Sequence, residues 1–277
     1  MSASQGPPYS SSRVLPPYRA LLIVDAKDFT GNPSVQHAQI AAEIPALVEQ
    51  AFNRAHMREI WDTIRFSAHT GDGVALGFPP EYLPYLVHPI LDELQRVLKD
   101  RNAQAGRYDP LIRLRVSLHV GPLPDSGEQR VGDGDGKPRN DAHRLLDSVP
   151  VKAMLAGSSD HVTHVAAILS QRVFEDVVQA GYAGRHPDHF IPVRATVPGK
   201  SFGEDAWLYV PEPSGSLFQE GVLGTEVLRE VRAPAESRSA SSPAEHSSGV
   251  HVGTNSGQVA GVVHGGMHQG APKRDPR

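Results

Sequence analysis

Leu21 to Gly31 reads LLIVDAKDFTG: four apolar residues that run into Asp25, then a second acid at Asp28 and a Phe-Thr-Gly turn. Extended back to Tyr18, this short continuous apolar run followed by turn chemistry predicts a buried strand. A strand of that kind ending on a carboxylate needs a partner for it, because an ionised acid is not withdrawn from water alone. A helix is expected next. NPSVQHAQIAAEIPALVEQAFNRAHM offers Ser34 as N-cap and Ile40, Ile44, Leu47, Val48 and Phe52 near helical spacing, with Pro45 predicting a kink.

Working outward, DTIRFSAH and GVALGF flank TGDG, a glycine-rich connection typical of a hairpin. YLPYLVHPILDELQRVLKD predicts a second helix with prolines near its start, and LIRLRVSLHV alternates like a half-buried strand. The first half therefore reads βαββαβ, a ferredoxin-like core. A Gly- and Asp-rich loop, GEQRVGDGDGKPRN, leads to a short helix, DAHRLLDS. HVTHVAAILS then suggests a strand, QRVFEDVVQAG a helix, and DHFIPVRATV with DAWLYVP a closing strand pair. The expected fold is α+β, with helices on one face of a mainly antiparallel sheet.

Apolar runs recur from about Tyr18 to Pro211 of the 277 residues, while both flanks are rich in Ser, Gly and Pro. The expected division is a disordered tail over 1–17, a folded domain over 18–211 and a low-complexity linker over 212–249, with one short helix near GTEVLREV. A distinct block over 250–270 and a disordered end over 271–277 complete it. Net charge is −4 and the sequence pI is near 6.4, with no Lys/Arg cluster of the sort that tracks a duplex, so nucleic acid is not an expected partner. The chain has no cysteine, which excludes disulfides, thiolate metal sites and a Cys nucleophile. No stretch reaches membrane-spanning length and none has the form of a signal peptide, so a soluble cytoplasmic protein is expected.

The hairpin lays Asp72, in HTGDGVALGF, beside the strand that ends on Asp25, so two carboxylates are expected at one edge of the sheet. Two acids with neighbouring carbonyl oxygens are the hard ligands Mg²⁺ prefers, and a pair of such ions can activate one oxygen and stabilise another. Taken singly, Asp25 also reads as a loop cap and Asp72 as an ordinary turn acid. Asn140 and Arg144, four apart in RNDAHRLLD, fall on one face of a helix, which could equally be a plain solvated face.

Together, VDAKDFTG and TGDGVALGF resemble the two metal-binding signatures of class III nucleotidyl cyclases, and the resemblance covers roughly Tyr18 to Val210. It implies that Asp25, the Ala26 carbonyl and Asp72 hold two Mg²⁺ or Mn²⁺ ions per site, and that the Phe29–Thr30 turn holds the triphosphate. By the same resemblance Asn140 and Arg144 steady the ribose and the α-phosphate. Lys200, in VPGKSFGEDAWLYV, neutralises triphosphate charge or is a solvated turn lysine. Asp133, seven residues before Asn140, stands where purine cyclases keep a base-reading residue. The chain departs from the family at Ala68, where purine-specific members carry Lys or Glu; the base is then read by other groups, His69 among them, and pyrimidine cyclisation stays open. The family builds each site between two subunits, so the implied protein is a symmetric homodimer converting a nucleoside triphosphate to a 3′,5′-cyclic nucleotide and pyrophosphate. The competing readings are a degenerate cyclase-like dimerisation or nucleotide-sensing module, and a palm-like polymerase or diguanylate-type enzyme.

The block GTNSGQVAGVVHGG alternates Val with Gly, Asn and Gln and lacks charge. It resembles short amyloid-forming signalling motifs related to the RIP homotypic interaction motif, which implies a partner carrying a matching motif. A Gly-rich disordered end is the alternative.

Overall fold

The computed structural model describes Pro7 and residues 9–215. Of the expected linker over 212–249, only 212–215 are described, and they pack on the domain: Lys99 donates to the Glu212 carboxylate at 2.9 Å and Ser214 is buried. The rest of the linker, the possible helix near GTEVLREV and the 250–270 block lie outside the described residues. The first half comprises β1 (Tyr18–Ala26), α1 (Ser34–Arg54), the short α2 (Arg58–Trp61), β2 (Phe66–His69), β3 (Gly73–Phe78), α3 (Leu83–Tyr85), α4 (Leu91–Ala103) and β4 (Leu114–Pro122). The second half comprises α5 (Lys137–Asp147), α6 (Val149–Ala156), β5 (Val165–Ser170), α7 (Gln171–Val173, continued by a wide helical turn to Gln179), β6 (Ile191–Thr196) and β7 (Gly203–Tyr209).

The seven strands form one sheet in the order β2-β3-β1-β4-β5-β7-β6, antiparallel at every pairing except β4 with β5. The first four strands have the interleaved order of a βαββαβ core, so the expected α+β fold is the observed one. A parallel pair needs a long crossover, and α5 with α6 supplies it between β4 and β5.

β1 is central because every residue from Ala20 to Ala26 is buried, between β3 on one side and β4 on the other. Successive side chains leave it on opposite faces. Leu22 and Val24 join the core under α1 and α4, with Ile44, Phe52, Leu94 and Leu98. Leu21 and Ile23 join a smaller cluster with Ala142 and Leu146 of α5.

Several local expectations are corrected. Helices cover both faces of the sheet, because α5 and α6 pack Leu145, Val151, Met154 and Leu155 against the face that α1 and α4 leave. β4 is accordingly not half-buried: Ser117, on its more polar side, is 0% exposed. Ser34 is the first residue of α1 rather than its cap; Pro33 takes that place with no side-chain bond to the first amides. Pro45 lies inside α1 without ending it, as a kinked helix allows. The second helix is shorter than its sequence pattern, since extended backbone at His88 (φ −152°, ψ 125°) interrupts it and α4 starts at Leu91. α6 was not foreseen.

Candidate active site

The hairpin turn places Asp72 through its two glycines. Gly71 adopts φ +91°, which a side chain disfavours, and a Cβ at Gly73 would stand 2.0 Å from the Val24 carbonyl oxygen. That close approach lets the Ala26 amide donate to the Asp72 carbonyl at 2.9 Å, while the Lys27 amide donates to Arg113 at 2.8 Å. The end of β1 is thus held from both sides. Asp25 pairs in register with Gly73 on β3 and with Arg115 on β4.

This register answers how a buried strand tolerates Asp25. The Arg115 guanidinium donates through Nη2 to Asp25 Oδ2, and both side chains are nearly buried. Asp25 Oδ1 is buried and accepts from no N–H or hydroxyl of the protein, while the Asp72 carboxylate stands within hydrogen-bond reach of the Asp25 carboxyl. Burial pushes the Asp25 carboxyl up to about 7; Arg115 pulls against this, and the nearby Asp72 carboxylate adds to the rise. A carboxyl raised in this way keeps its proton more tightly than a free one, and a cation binding there has to displace that proton.

Beside the acids lies an open pocket of about 360 Å³. Ala26, Lys27, Asp28, Phe29 and Thr30 line one side, with Asp72 and Arg115, and α6 contributes Lys152 and Ala156. Asp28 takes a left-handed conformation (φ 55°), and the Gly31 and Asn32 amides close the following turn onto the carbonyls of Asp28 and Phe29. Phe29 stacks on His37 with ring centroids 4.4 Å apart. The expected residues Asp25, Ala26, Phe29, Thr30 and Asp72 therefore come together.

The remaining expected residues, Asn140, Arg144, Asp133 and Lys200, do not line this pocket. Asn140 and Arg144 are exposed on α5 while Ala142, Leu145 and Leu146 between and beyond them are buried. Arg144 bonds Asp141 at 3.3 Å and lies 5.7 Å over the Phe202 ring, next to the exposed turn that carries Lys200. Asp133 folds its own loop: it accepts from the Ser126 amide (2.9 Å), the Ser126 hydroxyl (2.6 Å) and the Arg130 amide (2.9 Å). Those bonds, that of the Ser126 hydroxyl foremost, hold its carboxyl below the usual range. Ala68 lies in the register row of Ala75 and Ile23, on the sheet face of Asp25, whereas His69 lies in the row of Val74 and Val24, on the opposite face.

Two pocket residues had escaped the sequence reading. Arg115 was legible only as the polar half of an alternating strand, and Lys152 gave no signal, because α6 itself was missed. Arg115 also opens a polar row on β4 with Ser117 and His119; Arg115 Nε, Ser117 Oγ and His119 Nδ1 are all buried and unpartnered. Burial holds the His119 imidazole down at about 4.

Among the described residues, no three His, Asp or Glu side chains converge as a metal site. Two carboxylates do converge, one with an unbonded buried oxygen, and an all-oxygen donor set suits a hard divalent cation whose other ligands come from a bound substrate. The residues present fit such an ion. No helix among the described residues is long and apolar enough to cross a membrane.

No protein-family model and no curated protein sequence matches the chain. Among solved structures it is similar to a bacterial light-regulated adenylyl cyclase, with a TM-score of 0.46 and 13% identity, covering 73% of this chain and 54% of that one. It is also similar to the catalytic core of a rhodopsin-guanylyl cyclase with converted specificity in complex with ATPαS (TM-score 0.42, 14% identity, 70% of this chain and 95% of that one). A third is an adenylate/guanylate cyclase/hydrolase from Silicibacter pomeroyi (TM-score 0.42, 18% identity, 70% and 98%). The chain thus spans about half the length of the first and nearly all of the other two.

Proposed function

We propose that this protein is a metal-dependent nucleotidyl cyclase that converts a nucleoside triphosphate to its 3′,5′-cyclic nucleotide and pyrophosphate. The observation that carries the reading is the meeting of Asp25 and Asp72 beside the Phe29–Thr30 turn, with one Asp25 oxygen buried and unbonded. Mg²⁺ or Mn²⁺, two ions held by Asp25, Asp72 and the Ala26 carbonyl, would acidify the ribose 3′-hydroxyl and share the charge of the departing pyrophosphate. The chain's own groups bind and orient. Arg115 presents a fixed cation to the pocket, and the turn after Asp28 seats the phosphates. The 3′-oxygen gives its proton to water, bonds to the α-phosphorus and displaces pyrophosphate, so no protein nucleophile is consumed.

In this reading two copies form a symmetric homodimer, and Asn140 and Arg144 of the partner subunit complete each site. Their exposure on α5 and their absence from the lining of this chain's pocket support that arrangement. The test is incubation of purified protein with each of the four nucleoside triphosphates and Mg²⁺ or Mn²⁺, with the product identified by mass. Joint replacement Asp25→Ala and Asp72→Ala should leave less than about a tenth of the turnover, given the several kcal/mol that such ions supply. Mixing Asp72→Ala with Arg144→Ala chains, each inactive alone, should restore activity in heterodimers that hold one intact site. No recovery despite demonstrated subunit exchange would reject the shared site.

A second reading, nucleotide sensing without turnover, is favoured by the ion pair that Arg115 already makes with Asp25 and by Ala68 in the base-reading position. Nucleotide affinity with no cyclic product from any of the four substrates would establish it.

A further inference from the structure

We propose that Lys152, on α6, neutralises the terminal phosphates of the substrate from the same chain that supplies the acids. This rests on the reading of the pocket as a triphosphate site. Lys152 and Ala156 stand one helical turn apart and face the pocket from α6, while Ala26 to Thr30 and Asp72 line it from the strand side.

Three cations border the pocket, and their present partners set them apart. Lys27 is bonded to Asp28 and Arg115 to Asp25, so each is tied to a carboxylate of the site itself. Lys152 bonds instead to Asp147, at 2.8 Å, which stands on α5; the Asp147 charge reaches Asp25, but Asp147 is neither of the two proposed metal-holding acids. Both side chains of that pair are nearly half exposed, 45% and 44%. An ion pair so open to water holds its partners weakly, and a phosphate oxygen offers a charge-assisted bond in its place. Lys152 can therefore turn to phosphate without stripping either Asp25 or Asp72 of a partner.

The helix that carries it is fixed. Arg113, 4% exposed, donates to the Leu155 carbonyl at 2.7 Å and to the Thr163 carbonyl at 2.9 Å, clamping the last turn of α6 to the start of β5. Only the lysine side chain has to move. Lys200, to which the cyclase resemblance gives this role from the partner subunit, lies on the turn between β6 and β7 and does not line the pocket of its own chain, so the two lysines would act from different subunits.

Inorganic tripolyphosphate with Mg²⁺ is the probe, because it has no base to be recognised and is not cyclised. Its affinity for the full chain would be measured by titration calorimetry in the unaltered protein and in Lys152→Gln, Lys152→Arg and Lys200→Gln. Lys152→Gln should weaken binding about ten-fold, as loss of one charge-assisted contact does, while Lys152→Arg should retain it to within about three-fold. Unchanged melting without the probe would separate this from loss of fold. Undiminished binding by Lys152→Gln together with weakened binding by Lys200→Gln would overturn the proposal and leave the cyclase reading standing. Absence of tripolyphosphate binding by the unaltered chain, in company with absence of nucleotide binding, would overturn both.

Discussion

The two faces of the central strands bury different things. Under α1 and α4, Leu22, Val24, Val116 and Leu118 meet Ile44, Phe52, Leu94 and Leu98, and the buried polar groups of α4 on this side, Asp92 and Gln95, have hydrogen-bond partners. On the other face, Leu21 and Ile23 are followed by Asp25, and directly across from these three stand His119, Ser117 and Arg115. The four buried side-chain atoms without a partner among the described residues, Asp25 Oδ1, Arg115 Nε, Ser117 Oγ and His119 Nδ1, all lie on this second face. Unbonded buried polar atoms cost stability, so they persist only where the rest of the structure holds them in place. One face of the same two strands secures the fold, and that lets the other carry buried polar groups that nothing in the chain bonds.

The strongest way to break this division is to damage the apolar face. Phe52 is fully buried and stacks on Phe78 with centroids 5.6 Å apart. Phe52→Ala should cost about 3–5 kcal/mol, measured by urea unfolding, and should take binding and activity with it through loss of the folded state. Retained stability would mean that the polar face carries more of the fold than its orphan atoms allow.

A medium effect, with a sign set by pH, tests Asp25. Its folded value of about 7 lies above the ordinary 3.8, so the folded state holds a proton that the unfolded state has released between those values, and stability falls as pH rises through that window. The full penalty above pH 7 is roughly 4 kcal/mol at most, at about 1.4 kcal/mol per pKa unit, with the pull of Arg115 already included. Asp25→Asn mimics the protonated acid. In the presence of chelator it should melt higher than the unaltered protein at pH 8, and the advantage should shrink toward pH 4. A lower melting temperature at pH 8 would show that the Arg115 pair outweighs burial.

The smallest effect sharpens the comparison. Ser117 Oγ is buried and unbonded, so Ser117→Ala should leave stability unchanged or raise it by no more than about 1 kcal/mol. A loss larger than that in denaturant titration would mean that the hydroxyl is bonded through ordered water along the row from Arg115 to His119.

Much of this was legible from the chain itself, for local reasons. The run from Tyr18 to Val24 is too apolar for anything but a buried strand, and TGDG specifies a tight turn because Gly71 takes a left-handed conformation and Gly73 leaves no room for a Cβ. Those two features fix Asp25 and Asp72, and with them the most specific part of the candidate site. The alternation of Leu114, Val116 and Leu118 with Arg115 and Ser117 was equally visible, but it read as a strand with one wet face. Alternation reports that the faces differ, and only the packing of α5 and α6 decides that both are covered.

The tertiary structure alone settled the rest, because it concerns pairs far apart in the chain. Arg115 meets Asp25 across 90 residues through the strand register, and a slip of one residue would have turned it to the other face. Lys152 reaches the pocket because α6 is held against the sheet by Val151, Met154 and Leu155 and by the buried Arg113. Asn140 and Arg144 share a helix face by spacing alone, yet that this face is exposed and does not line the pocket follows from how α5 packs its Ala142 and Leu146 onto β1. Spacing along a chain fixes which side chains are neighbours on one element; which elements then face each other is set by burial summed over the whole domain.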